Sequence, residues 1–227
     1  MFVHVPKAAG KSVKQHLLRH TCGPLSRQRL RAGFLLEAAG SYAEGRALLK
    51  HVLPPFPAAA SDPRLRDYCR RRGLATAAHL TARQVRDCLG DAAFSSMFTF
   101  AFVRNPWDRC LSAYFYFRRK RLHPLHRMAM ALSYENFLEQ LEAQGMPYVG
   151  QQSLWLFGEE RESLVDYIGR VEDIAGDMAR VHDAIGLQAL KFRARTNVSA
   201  ERERDYRAHY TARSRDVVAQ AMRDDIE

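Results

Sequence analysis

The sequence has 227 residues, of which 47% are hydrophobic and 26% are charged, a size and composition that suit one α/β domain able to bury a core without disulfides. Its four cysteines contain no C-x-x-C pair, which argues against a zinc site. No apolar run approaches the roughly 20 residues of a membrane span, and the strand-like start is not typical of a secretory leader, so we expect a cytoplasmic protein.

The formal net charge is +10, and arginine accounts for 29 of the 35 lysine and arginine residues. The planar fork of arginine matches phosphate, sulfate and carboxylate oxygens better than the point charge of lysine does. This bias favours an anionic ligand, although a solvated basic surface would have the same composition. No nucleic-acid-binding motif accompanies the charge.

The first predicted element is a strand at residues 2–5, followed by a turn and a helix that places Val13 and Leu17 on one face. A strand, a tight loop and a helix in this order form an anion site at the helix amino end. The tail of the loop, Gly10-Lys11-Ser12, is that of an ATP-binding P-loop. That pattern also needs a glycine five residues before Gly10, where Val5 stands.

The next part of the chain has a helical pattern at 25–53, and a proline-rich connection follows at 54–63. Thr81 and Gln84 then have the spacing of a helix capping box, and Gly90 is a stop signal for that helix.

The stretch from 96 to 103 is rich in β-branched and aromatic residues and predicts a core strand. Asn105 is positioned to cap the following helix, with Pro106 as its first residue. Later predicted elements are a capped helix at 133–145, a strand at 164–172, a helix at 173–186 and charged helical sequence after 201. This alternation predicts a parallel sheet with helices on both faces.

Arg104 ends the core strand, and Ser112 lies eight residues further on, in the next helix. Residues at strand ends of parallel sheets face the ligand crevice. A P-loop NTPase usually has an aspartate at this position to hold magnesium, whereas an arginine attracts an anion.

The segments HVPKAAGKS and FVRNPWDRCLSAY together resemble sulfotransferases that use 3′-phosphoadenosine 5′-phosphosulfate (PAPS), in the carbohydrate (Golgi-type) branch. The similarity continues through HLTARQVRDCLG and LVDYIGRVEDI and covers nearly the whole chain in the expected order. It implies one sulfotransferase domain over residues 1–227 with a P-loop-like, three-layer α/β fold. A helical insert at about 25–78 would shape the acceptor side.

The resemblance implies a role for each donor-binding residue. The loop would wrap the 5′-phosphosulfate, Lys7 would neutralise the leaving oxygen, and Arg104 and Ser112 would hold the 3′-phosphate. The implied donor-binding residues are Pro6, Lys7, Ala8, Ala9, Gly10, Lys11, Ser12, Arg104, Ser112, Asn197 and Ser199. The desulfated product would be PAP, and no metal is expected.

His79 matches the catalytic histidine of the carbohydrate branch and would take the proton of the acceptor hydroxyl, although a lone histidine is more often a cap or a surface residue. Relatives commonly have threonine or serine where this chain has Lys11, which is either a further phosphate-binding cation or a side chain turned to solvent.

The implied acceptor is a carbohydrate hydroxyl. Basic runs at 70–73 and 117–121 either line a cleft for an acidic glycan or form solvated faces. The alternatives are a P-loop kinase or NTPase, suggested by the Gly-Lys-Ser tail, and a non-catalytic polyanion-binding module.

Overall fold

The computed structural model describes residues 1–10, 12–13, 16–17, 63–74, 79–187, 192 and 205–227. Lys11, Asn197, Ser199 and most of the insert expected at about 25–78 lie outside the described residues.

Three parallel strands form the sheet, in the order β1-β2-β3. The strands are β1 (Phe2–Val3), β2 (Phe100–Val103) and β3 (Tyr167–Arg170). Val3 pairs with Ala101, and Val103 pairs with Arg170. Strand β1 is shorter than the predicted 2–5 because the chain turns after it, with the Ala8 amide donating to the Val5 carbonyl at 3.3 Å. The parallel order confirms the predicted α/β class and brings all three carboxyl ends to one edge.

Helices fill most of the remaining described chain. They are α1 (Pro63–Arg71), α2 (Ala82–Leu89), α3 (Asp91–Ser95), α4 (Pro106–Arg119), α5 (His126–Ala131), α6 (Tyr134–Ala143), α7 (Ser153–Leu156), α8 (Ile174–Ala184), α9 (Ala212–Ala221) and α10 (Arg223–Ile226). In the described ranges, none of them is long and apolar enough to cross a membrane.

The amino-terminal caps of α2 and α4 are those that the sequence predicts. Thr81 and Gln84 make a complete capping box at α2, with each side chain bonded to the backbone of the other residue. Asn105 caps α4 by accepting a hydrogen bond from the Asp108 amide at 3.2 Å, and Pro106 is the first helical residue. These caps satisfy amides that have no partner within the helix.

Side chains alternate across the sheet and make two buried layers. Val3 and Ala101 pack against the side that contains Val85 of α2. Phe102 points to the opposite side, where it packs with Met178 of α8. Helices therefore cover both faces of the sheet, as expected for a three-layer α/β domain.

A separate helical cluster adjoins the carboxyl edge of the sheet. Helix α4 begins directly after β2 and buries Leu111 and Phe117 against Phe137 of α6 and Val218 of α9. This packing fixes α4 in place, so its other face can serve the site at the sheet edge.

Candidate active site

The loop after β1 has an unusual backbone. Lys7 and Ala9 have φ values of 67° and 54°, in the left-handed region that non-glycine residues seldom occupy. Ala9 also starts the helix, because its carbonyl accepts from the Ser12 amide at 2.8 Å and the Val13 amide at 3.1 Å. Strained conformations of this kind persist only when their surroundings hold them, and they concentrate at functional sites.

Gly10 lies against the imidazole of His4. A Cβ atom at position 10 would be 1.8 Å from His4 Nε2, so any side chain there would displace the ring. The His4 ring also stacks on Phe2, with centroids 5.8 Å apart. Gly10 therefore allows the strand end and the helix start to approach closely, in addition to any role toward a ligand.

Lys7 is a cation in a positively charged setting. Its Nζ lies 4.1 Å from the centre of the Tyr116 ring, a cation–π distance. Within the part of the chain that the structure describes, Nζ makes no hydrogen bond or ion pair. Burial is the main cause, and nearby positive charges the second, of a Lys7 pKa lowered to about 7. Those charges belong to Arg104, Arg119, Lys120 and Arg109.

Arg104 follows β2 and is the second cation of the site. Its Nε donates to Asp108 Oδ2 at 2.6 Å, and both side chains are mostly buried. Its two terminal nitrogens make no hydrogen bond to the described residues. Burial lowers the pKa of Arg104, and the charge of Glu172 partly opposes that effect. The guanidinium thus keeps one donor edge for a ligand.

One face of α4 connects the two cations. Asp108, Ser112 and Tyr116 follow Arg104 at intervals of four residues, which places them on one side of the helix. Asp108 holds Arg104, Tyr116 lies under Lys7, and the half-buried Ser112 lies between them. The structure therefore places the sequence-predicted Lys7, Arg104 and Ser112 along one side of α4.

His79 lies next to the junction of β1 and the loop. Its ring centroid is 4.5 Å from that of His4, and its Nδ1 is 3.5 Å from the His4 carbonyl oxygen. Trp155 Nε1 donates to the His79 carbonyl at 3.2 Å and fixes the backbone just before α2. The side chain is exposed. Contacts with both His4 and Trp155 thus place His79.

A family model described as "Sulfotransferase family" matches residues 1–227, the whole chain. The chain belongs to this sulfotransferase family. The protein is therefore an enzyme, and the kinase and polyanion-binding alternatives are superseded. No curated protein matches the sequence significantly. No solved structure matches it either.

The residues of this sulfotransferase fit the PAPS donor that its family uses. The donor carries negative charge at its 5′-phosphosulfate and at its 3′-phosphate. Lys7 and Arg104 are two separate cations whose ammonium and terminal guanidinium nitrogens have no acidic partner among the described residues. Such groups are stabilised when an anion binds between them.

Sequence reasoning missed Arg109, a fully buried arginine of the sulfotransferase. Its Nε donates to the Pro6 carbonyl at 2.9 Å, and its Nη1 donates to the Gly150 carbonyl at 2.8 Å. Arg109 thus ties the loop after β1 to α4. The available signal was the position of Arg109 directly before the apolar pair Cys110 and Leu111. An arginine buried among such residues almost always has a hydrogen-bonding partner.

Tyr116 was also missed. The structure buries the neighbouring Phe115 and Phe117 in the core, while Tyr116 contacts Lys7. The interval of four residues from Ser112 was the signal that separates Tyr116 from its neighbours. In the basic run 117–121, Arg119 and Lys120 lie near enough to Lys7 for their charges to lower its pKa.

Proposed function

We propose that this sulfotransferase moves the sulfuryl group of PAPS to a hydroxyl of a carbohydrate. The observation that carries the proposal is the Lys7 ammonium, which is held in a cleft of positive charges and makes no ion pair in the described part of the chain. A cation kept in that state destabilises the free protein, and an anion placed beside it removes the cost.

Each end of the donor has its own binding residues in this proposal. The loop from Pro6 to Ser12 binds the 5′-phosphosulfate at the start of a helix, through the Ser12 hydroxyl and through backbone amides other than those of Ala8 and Ser12, which donate within the loop. Arg104 and Ser112 bind the 3′-phosphate, the group that distinguishes this donor from ATP. Lys11, Asn197 and Ser199 complete the set on sequence grounds alone.

PAPS supplies an activated sulfuryl group, and transfer forms a bond from the acceptor oxygen to sulfur while the bond from sulfur to the bridging oxygen breaks. Lys7 neutralises the charge that the bridging oxygen gains, and it does so from a fixed position in a poorly solvated site. Fixed electrostatic contacts of this kind are commonly worth about 3–4 kcal/mol each in the transition state.

His79 is the proposed base for the acceptor hydroxyl. Because a carbonyl oxygen can only accept, the contact of Nδ1 with the His4 carbonyl favours the tautomer that has its proton on Nδ1. Nε2 then carries the lone pair that takes the hydroxyl proton. The position beside His4 places this imidazole at the same sheet edge as the donor loop.

The acceptor is proposed to be a glycan, and an acidic one is favoured by the charges around the cleft. Arg119 and Lys120 act on Lys7 from the end of α4. Arg70, Arg71 and Arg72 are exposed at the end of α1. Uronic acid or sulfate groups would meet these side chains during binding.

A direct test combines donor binding with transfer. Calorimetry in the presence of a chelator should show binding of PAP in preference to ATP, and labelled PAPS should transfer label to members of a glycan array. Lys7→Ala should abolish transfer and keep the fold, whereas Arg127→Ala, which changes an exposed cation of α5, should keep both. Preferential binding of magnesium-ATP, or normal transfer by Lys7→Ala, would contradict the proposal.

A further inference from the structure

Beyond the last residue pair of the sheet, the backbone of Arg104 is held by a side chain. Val103 and Arg170 form the final pair of β2 and β3. The Arg104 amide then donates to Gln152 Oε1 at 2.9 Å, and Gln152 Nε2 donates to the Arg104 carbonyl at 2.8 Å. One carboxamide thus satisfies both backbone groups, as a neighbouring strand would.

Gln152 is itself fixed from behind. It is only 3% exposed. Its amide donates to Asp225 Oδ2 at 2.7 Å, and the Ser153 amide donates to Asp225 Oδ1 at 2.8 Å, so one carboxylate caps the start of α7. The carboxamide of Gln152 therefore has a defined position from which to hold Arg104.

The same segment also holds the other end of the donor site. Gly150 accepts from Arg109 Nη1, and Arg109 Nε donates to Pro6 in the donor loop. Gln152 therefore contacts the Arg104 backbone, and Gly150 reaches the loop after β1 through Arg109, by two separate sets of hydrogen bonds.

We propose that Gln152 is a positioning residue that sets the direction of the Arg104 guanidinium toward the 3′-phosphate; this rests on the proposed use of PAPS. The guanidinium lies at the end of a long side chain. A backbone tilt of about 10° therefore moves its terminal nitrogens by about 1 Å. A misplacement of that size can cost up to about a hundredfold in function.

A purely structural role would give a different pattern of effects. Loss of packing at Gln152 would lower thermal stability and weaken all adenosine ligands alike. A misdirected Arg104 guanidinium would weaken the binding of ligands that have a 3′-phosphate. It would leave the binding of adenosine 5′-phosphate unchanged, because that ligand lacks the group. The ratio of the two affinities separates the roles.

The experiment measures Kd for PAP and for adenosine 5′-phosphate by calorimetry, with thermal melts as a folding check. Gln152→Met, which keeps the side-chain length and removes the amide, should reduce the preference for PAP by at least about tenfold. Gln151→Met is the matched control, because Gln151 Nε2 donates to the Ala221 carbonyl at 3.2 Å instead of contacting Arg104. The control should keep the preference of the parent protein.

A second arm tests the separation of the two ends. Arg109→Met should weaken both ligands and leave their ratio unchanged, because its contact is with the loop that meets the 5′ end. If Gln152→Met fails to fold, Gln152→Asn keeps the amide one methylene short and allows the same comparison.

The outcomes distinguish the two proposals. A parent protein that does not prefer PAP over adenosine 5′-phosphate contradicts the proposed function. A parent protein with that preference, together with a folded Gln152 variant that retains it, overturns the positioning role and leaves the function intact.

Discussion

Donor binding should draw a proton from solution, because Lys7 is mostly neutral in the free protein at alkaline pH. With a pKa of about 7, Lys7 is about 10% protonated at pH 8. A phosphate group beside Nζ favours the ammonium and raises this pKa. Binding of PAP at pH 8 should therefore take up about 0.9 proton through Lys7. Each pH unit above 7 should also weaken the observed affinity about tenfold until the pKa of the complex is reached.

Calorimetry measures this uptake directly. Titrations of PAP at pH 8 in buffers of different ionisation enthalpy give a straight line, whose slope is the number of protons exchanged. Lys7→Met supplies the background from the phosphates of PAP and from other groups. A slope equal to that of Lys7→Met, in a parent protein that binds PAP, would refute either the lowered pKa or the place of Lys7 beside the anion.

Three further predictions concern stability and donor choice. Lys7→Met should raise the melting temperature of the ligand-free protein, and the gain should be largest at or below pH 7, where the buried Lys7 is charged. The gain should shrink between pH 7 and about 10.5, because in that range Lys7 is neutral in the folded protein and still protonated in the unfolded chain. Constant or absent stabilisation across that range would contradict the burial of the ammonium. Gly10→Ala should lower the free energy of unfolding by about 1–3 kcal/mol in urea titrations, because its Cβ collides with His4, and an unchanged midpoint would show that the ring moves freely. Arg104→Lys should weaken PAP binding and leave adenosine 5′-phosphate largely unaffected, since an ammonium cannot replace the guanidinium fork; equal losses for both ligands would count against contact with the 3′-phosphate.

Local chemistry explains which parts of the fold could be predicted from the sequence. The capping box of Thr81 and Gln84 depends on residues three positions apart, and both hydrogen bonds are present. The cap at Asn105 is equally local. The strand at 96–103 was predicted from its residue types, although the strand that forms is shorter and runs from Phe100 to Val103.

The missing parts depend on contacts between distant segments. Arg109 reaches Pro6 across 103 positions, and Gln152 reaches Arg104 across 48. No periodic pattern marks such pairs, because each partner is a backbone carbonyl or amide that every residue has. Tyr116 differs from Arg109 and Gln152, because its spacing of four residues from Ser112 is a local signal. Its position between two phenylalanines made it look like a core residue instead.

The charge balance of the cleft explains how a Gly-Lys-Ser tail can serve a donor other than ATP. A tight loop before a helix is suited to any phosphate-like group, so this element alone does not select the donor. In the proposed binding mode the end of β2 selects the donor, because it carries Arg104, whose guanidinium Asp108 holds in place. A divalent cation 4 Å from Lys7 or Arg104 would meet a like charge, at a cost of about 8 kcal/mol for each fully charged side chain, which is twice the cost for two unit charges near a protein surface. A ligand with two anionic groups is instead attracted by both Lys7 and Arg104. In the proposed binding mode, the ribose 3′-phosphate of PAPS is the second of these groups.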